Sequence, residues 1–288
     1  MVKTMATCAL CKSDKPLKGS HIIPHFVFDK IKENSPTGFL RSVGEVNLRK
    51  QDGNKLKMLC EDCEKRFSQA EHIFALKIFE PYQGGRITSF TYDSWLNYFI
   101  SSVNWRTLYL DNLSFHTKKE YAEDKLSILY NAEAIIADFL LNKRDNIGEI
   151  ENHIFVMAGP MTASPDLKDS RPNVFFRTSA FGYTLFDFGS GGCYVYANLA
   201  GILICTVIQK GKEDVWNNTF VQPNGGSING AQHISSVLMY DIMQLSIKQA
   251  KTKMSKTQWE NVIKTFNANP QAAQSKFFEF RKWDEDMK

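Results

Sequence analysis

Four cysteines in the first quarter of the chain have the spacing of metal ligands. Cys8 and Cys11 form one Cys-x-x-Cys pair, and Cys60 and Cys63 form a second pair. Two such pairs supply the four thiolates that a tetrahedral Zn²⁺ ion requires. Because no coordination position stays open in a site of four cysteines, the ion would be structural. The sequence therefore predicts a structural zinc site at these four residues.

A redox pair or a disulfide is the alternative for each Cys-x-x-Cys. A thioredoxin-like pair would follow a strand in a β-α-β unit, and neither pair has that setting. The N-terminus carries no apolar signal segment, and the apolar run 195–208 is interrupted and too short to span a bilayer. We therefore expect a cytoplasmic protein without membrane contact, in which paired cysteines stay reduced. Cys193 and Cys205 lie in apolar, strand-like sequence and are expected to be core residues.

The segment between the two pairs contains histidines next to a predicted strand. Residues 19–26 read GSHIIPHF, and a helical pattern begins at or just after Cys63. A Cys-x-x-Cys knuckle, a strand with His-Ile-Ile-Pro and a second Cys-x-x-Cys that opens a helix together resemble the zinc-containing HNH endonucleases. That family has a treble-clef or ββα-metal fold. The resemblance covers about the first quarter of the chain.

The resemblance implies roles for individual residues. His21 matches the histidine that acts as general base on the attacking water. Glu64 stands where the family has a histidine that holds a divalent ion, and a carboxylate there would suit Mg²⁺ or Mn²⁺. Asn54 is the candidate for the loop asparagine of the family, with Asn47 as a competitor. Ser20 occupies the place of an acidic residue, so the predicted metal site has one negative charge less than in the family.

Several neighbouring polar residues have more than one interpretation. His25 is a second metal ligand, a nucleic-acid contact, or a residue at a helix N-terminus without a chemical role. Glu71 and His72 are expected on a solvated helix face. Asp29 and Glu33 are separated by one helical turn and are most simply a pair of surface residues.

Positive charge is concentrated in the part of the chain that carries the cysteines. Residues 1–70 contain 13 Lys and Arg against 8 Asp and Glu, whereas the remainder is close to neutral. A basic bias suits a polyanion such as nucleic acid, and a lysine-rich solvated surface explains it equally well.

The remaining chain must provide the elements that support these motifs. Trp95, Phe99, Trp105 and Arg106 occur at helical spacing, and their aromatic rings are expected in a core rather than in a base-stacking platform. A glycine-rich stretch at 189–192 predicts a tight connection between two strands. We expect an α+β fold with the following parts: a treble-clef zinc domain of HNH type at 1–82 and an accessory domain at 83–288 with helices at 93–141, an antiparallel β-meander at 151–210 and helices at 230–283.

Two classes of function agree with these patterns. The first is a metal-dependent endonuclease that hydrolyses nucleic-acid phosphodiesters, with DNA as the expected partner and bacterial defence as a role by analogy. The alternative is a zinc-finger module that binds nucleic acid or protein without catalysis. In either case the C-terminal half is a candidate surface for a partner protein or for a second copy of the chain. The sequence contains no nucleophile triad, phosphate-binding glycine loop or dinucleotide fingerprint.

Overall fold

The N-terminal part is built on a three-stranded antiparallel sheet with helices beside it. The computed structural model describes residues 5–42, 45–87, 89–162 and 165–287. The sheet has the strand order β1-β2-β5, and a two-stranded hairpin, β3-β4, is inserted between β2 and β5. The elements are β1 (Met5–Thr7), β2 (Asp14–His21), α1 (His25–Asn34), β3 (Leu40–Ser42), β4 (Glu45–Lys50), β5 (Lys55–Cys60) and α2 (Glu61–Phe74).

The cysteine pairs lie at the ends of these strands. Cys8 and Cys11 are in the turn between β1 and β2, where Lys12 adopts a left-handed conformation with φ of 59°. Cys60 ends β5 and Cys63 lies in the first turn of α2. Three acidic residues in that turn stabilise the helix N-terminus, because their negative charge interacts favourably with the positive end of the helix dipole. As a result the helix begins at Glu61, slightly earlier than the predicted start at Cys63.

A buried helix connects this part to the rest of the molecule. After α2 the chain continues through a π-helical turn (Ala75–Phe79) and α3 (Glu80–Gln83), followed by β6 (Phe90–Asp93), α4 (Trp95–Lys118) and α5 (Glu123–Leu140). The predicted helical region 93–141 is divided because Lys119, with φ of 53°, ends α4 in a left-handed conformation. Phe99 and Trp105 are fully buried in α4, which confirms the prediction that they are core residues.

A four-stranded antiparallel sheet packs against α4. Its elements are β7 (Glu151–Val156), α6 (Pro172–Arg177), β8 (Ala180–Phe186), β9 (Cys193–Leu199) and β10 (Ile202–Gln209). The order is β7-β10-β9-β8, so β8, β9 and β10 form a meander while β7 lies on the far side of β10. The predicted meander is therefore correct for three strands, and the excursion through α6 lets the first strand join the opposite edge. Cys193 and Cys205 are buried in this sheet, as expected.

The C-terminal segment returns to both earlier parts. Its elements are β11 (Val215–Asn217), β12 (Gly225–Ile228), β13 (His233–Ser235), α7 (Val237–Ala250), α8 (Lys256–Asn267) and α9 (Lys276–Asp286). β12 pairs with β6, and the Asp284 carboxylate of α9 accepts hydrogen bonds from the backbone N–H groups of Asn173 and Val174 at the start of α6. Within the described ranges, no helix combines the length and apolar character needed to cross a bilayer.

The apolar core is continuous across the predicted boundary at residue 82, which falls inside α3. One cluster joins Val27 and Phe74 to Phe99 and Ile204. A second joins Phe67 and the first cysteine turn to α4, α5 and β9. The structure is mixed α+β, and its N-terminal part differs from the remainder in composition while sharing the same packed interior.

Candidate metal centre and histidine cluster

The four cysteine thiols converge between the β1-β2 turn and the start of α2. All four Sγ atoms lie within 4.8 Å of one another, and Sγ of Cys11 is 3.8 Å from Sγ of Cys60. A tetrahedron with Zn–S bonds of about 2.3 Å has S–S edges of about 3.8 Å. None of the six cysteines, all of which lie in the described ranges, forms a disulfide. The predicted set Cys8, Cys11, Cys60 and Cys63 is therefore assembled as a four-cysteine cluster that could hold a metal such as zinc.

Burial and hydrogen bonds shift the pKa values of these thiols in opposite directions. Burial raises the pKa of Cys8 and of Cys63. Burial would also raise the pKa of Cys11, but hydrogen bonds from the backbone and side chain of Ser13 lower it to about 6. The N–H of Cys60 donates to Sγ of Cys8 at 3.3 Å, an interaction that favours a thiolate. A thiolate is the form that binds a metal ion.

His21 ends β2 and contacts the carboxylate of Asp52, a residue that was not among the predicted site residues. Nε2 of His21 lies 3.0 Å from both carboxylate oxygens of Asp52, which is in the loop between β4 and β5. The β2-β5 register places His21 opposite Lys55 and so brings the preceding loop to the imidazole. The side chains of His21 and Asp52 are 15% and 27% exposed, so solvent reaches this contact.

His25 completes a second cluster at this end of β2. One ligand atom each from His21, His25 and Asp52 lies within 4.8 Å of the others. Nε2 of His25 is 3.6 Å from Asp52, and Nδ1 is 2.9 Å from the carboxylate of Asp29, one turn further along α1. The Asp29 carboxylate also forms an ion pair with Nζ of Lys32 at 2.8 Å. Asp29 and Glu33 are both exposed, as expected for surface residues, and Glu33 forms an ion pair with Lys30.

The carboxylate of Asp52 is held in its charged form. Partial burial alone would raise its pKa, but hydrogen bonds from Lys55, from His21 and from the backbone N–H of Gly53 bring the pKa well below its ordinary value. Nζ of Lys55 lies 2.8 Å from Oδ2. The cluster thus combines two imidazoles and an ionised carboxylate.

Close packing fixes the loop that carries Asp52. The N–H of Gly53 donates to Oδ1 of Asp52 at 2.8 Å, and a Cβ atom at this glycine would overlap the ring of Phe28. The N–H of Ile22 donates to the carbonyl of Asn54 at 3.3 Å. Asn54 therefore lies beside the strand that carries the histidine, and its backbone makes this contact while its side chain is exposed.

A buried arginine ties the backbone of His21 to the helices. Nη1 of Arg106 donates to the carbonyl oxygen of His21 at 2.7 Å, and Nη2 donates to Glu71 at 2.6 Å. The side chains of Arg106 and Glu71 are 2% and 20% exposed. The expectation that Glu71 belongs to a solvated helix face is therefore wrong, whereas His72 next to it is exposed.

Glu64, the predicted ligand of the divalent ion, lies on α2 in the turn that also carries Cys63. It is half-buried, and its Oε1 atom is buried with no hydrogen-bond partner among the described residues. The group of potential ligands that contains His21 comprises His25 and Asp52 and does not contain Glu64. Ser20, which replaces the acidic residue of the resemblance, is fully buried.

Lysines of the N-terminal part form ion pairs with nearby acidic residues. Exposed pairs of this kind contribute little to stability, so an exposed lysine such as Lys18 or Lys65 can exchange its acidic partner for a phosphate group. The basic surface is therefore compatible with a polyanion without selecting one. The paired lysines are Lys15, Lys18, Lys30, Lys32, Lys50, Lys55 and Lys65.

In comparisons with known proteins, no family model, curated protein or solved structure matches the chain.

Proposed function

We propose that the chain hydrolyses phosphodiester bonds of nucleic acid, with DNA as the expected substrate, at the cluster of His21, His25 and Asp52. The observation that carries the proposal is the contact between Nε2 of His21 and the Asp52 carboxylate at the solvent-accessible end of β2. An imidazole and a carboxylate at a solvent-accessible position can activate an attacking water, either by accepting its proton or by holding the divalent cation that binds it. Asp52 also restores the negative charge that Ser20 does not provide.

The surrounding elements support an HNH-like arrangement. β2 and β5 pair antiparallel and lead directly into α2, which gives a β-β-α order with α1 and the β3-β4 hairpin as an insertion. The four-cysteine cluster connects the two ends of this unit, so we assign it a structural Zn²⁺ ion. A divalent cation at the histidine cluster would, when bound, stabilise negative charge on the phosphate and lower the pKa of its bound water.

The test is nicking of supercoiled plasmid and cleavage of single-stranded DNA in the presence of Mg²⁺ or Mn²⁺. His21→Ala and Asp52→Asn should lower the cleavage rate by about a hundredfold or more. His72→Ala is the matched control, because this histidine is exposed on α2 and should leave the rate unchanged.

Absence of cleavage by the wild-type protein with every metal would refute the hydrolase proposal. Salt-sensitive binding of the same DNA in that case would support the non-catalytic module, because contacts between lysines and phosphates weaken as salt concentration rises.

A further inference from the structure

We propose that His21, His25 and Asp52 are the ligands of a second divalent-cation site, separate from the four-cysteine cluster, and that Asp29 orients one of them. Cation binding at this site does not depend on hydrolysis by the chain. His21 is here a metal ligand rather than the proton acceptor of the HNH resemblance, and the divalent cation lies away from Glu64.

The distances between the ligand atoms suit a single cation. A cation with bonds of about 2.1 Å to nitrogen and oxygen separates neighbouring ligand atoms by about 3.0 to 3.4 Å in octahedral or tetrahedral geometry. Nε2 of His21 is 3.0 Å from Asp52, and Nε2 of His25 is 3.6 Å from it. The two distances bracket that range, so a cation can replace the present contacts after small side-chain movements.

The outer contacts hold both histidines in place. Nδ1 of His25 lies 2.9 Å from the Asp29 carboxylate, and this contact orients the imidazole so that its Nε2 faces Asp52. A carboxylate behind an imidazole is the usual support of a metal-binding histidine. The carbonyl of His21 is fixed by the buried guanidinium of Arg106. A chance group of surface side chains would lack such support from two separate helices.

Lys55 is the group that competes with a cation. Its ammonium lies 2.8 Å from Oδ2 of Asp52. Both histidines contact the other carboxylate oxygen, Oδ1. The side chain of Lys55 is 50% exposed, so it can turn into solvent without leaving a buried charge. Removal of this positive charge should strengthen cation binding.

The ligand types select a class of cation. Two imidazole nitrogens and one carboxylate suit Mn²⁺, Fe²⁺, Co²⁺ and Zn²⁺, whereas Mg²⁺ and Ca²⁺ prefer ligands that are all oxygen. Three protein ligands leave positions open for water or for a phosphate oxygen. We therefore assign the site to a transition-metal ion with open coordination.

The experiment is a Mn²⁺ titration of the full chain, purified with zinc in the four-cysteine cluster and followed by electron paramagnetic resonance of free Mn²⁺. Manganese is the probe because thiolates select zinc over it. Wild type should bind one Mn²⁺ per chain. His25→Ala and Asp52→Asn should abolish this binding while zinc content stays at one per chain, and Glu64→Ala should leave it unchanged.

Two further variants leave all three ligands in place. Asp29→Asn should weaken Mn²⁺ binding about tenfold or more, the usual effect of a lost outer contact, and Lys55→Gln should strengthen it. Glu33→Gln is the matched control, since this acid lies one turn further along α1 and pairs with Lys30.

The proposal is overturned if wild type binds no Mn²⁺, if His25→Ala binds it as tightly as wild type, or if Glu64→Ala removes it. Binding without any cleavage would support the site and refute the proposed hydrolysis, so the two proposals fail separately.

Discussion

Replacement of Glu71 by alanine would leave the guanidinium of Arg106 buried without its carboxylate. Loss of one partner from a buried ion pair costs about 3 to 5 kcal/mol of unfolding free energy. The Glu71 side chain is 20% exposed and the Arg106 side chain 2%, so water can reach the vacated position but solvates the cation poorly. We therefore expect a loss near the lower end, about 3 kcal/mol. Glu71→Gln keeps an oxygen acceptor and should cost about half as much.

The assay is thermal and urea unfolding followed by circular dichroism. For a chain of this size, 1 kcal/mol corresponds to about 2 to 4 °C in Tm, so Glu71→Ala should lower Tm by about 6 to 12 °C. Glu61→Ala is the control on the same helix, because it removes exposed pairs with Lys18 and Lys65 and one of three acidic residues in the first turn, interactions that are weaker than a buried ion pair. If Glu71→Ala unfolds at the same temperature as Glu61→Ala, the contact does not connect α2 to α4 in the way described.

Three other predictions concern the four-cysteine cluster, the partly buried Asp111 and the loop that carries Asp52. Cys60→Ser should abolish stoichiometric zinc and make the N-terminal part protease-sensitive, because a structural ion contributes folding free energy directly. Cys193→Ser should retain zinc, and equal zinc contents in the two variants would contradict the assignment. Burial raises the pKa of Asp111 to about 6, so the folded state disfavours the charged form and loses stability as pH rises from about 4 to 6. Asp111→Asn should therefore match wild type near pH 4 and exceed it by up to about 3 kcal/mol at about pH 8, measured by urea unfolding; equal stability at the higher pH would contradict this. Gly53→Ala, which forces a Cβ into the ring packed on the loop, should weaken Mn²⁺ binding and leave zinc content intact, whereas Gly19→Ala has open space and should change neither.

The four-cysteine cluster was predictable because its signal is local. Two residues between paired cysteines place both thiols on one turn, and two such turns have few uses other than metal binding. The long helices α4, α5, α7 and α8 and the three consecutive strands of the larger sheet were predictable for the same reason, since their apolar periodicity is contained in each segment. By contrast, α6 lies where a strand was predicted. Cys205, an isolated thiol in an apolar strand, was likewise predicted to be a core residue and is buried.

Contacts between distant segments were not predictable from one sequence. Asp52 follows His21 by 31 residues, and only the β2-β5 register brings its carboxylate to the imidazole. Its only local signal is an Asp-Gly turn before a strand, which is common and carries no chemistry. Glu71 has the spacing of a solvated face, and its burial depends on Arg106 in another helix. The edge position of β7 is likewise set by the route of the chain and not by its own residues.

The pairing of β6 with β12 joins segments that leave the ribosome far apart in time during synthesis. Asp93 lies opposite Gly225, so β6 can pair with β12 only after about 130 further residues have left the ribosome. Closing this long loop costs only about 1 kcal/mol more than closing the loop between His21 and Lys55, and the delay therefore reflects the order of emergence rather than chain entropy. The four-cysteine unit can gather its thiols early, whereas the apolar surface of α4 stays exposed until the strands β7 to β10 have emerged to cover it. Folding intermediates of this chain should accordingly be most prone to aggregation between these two events.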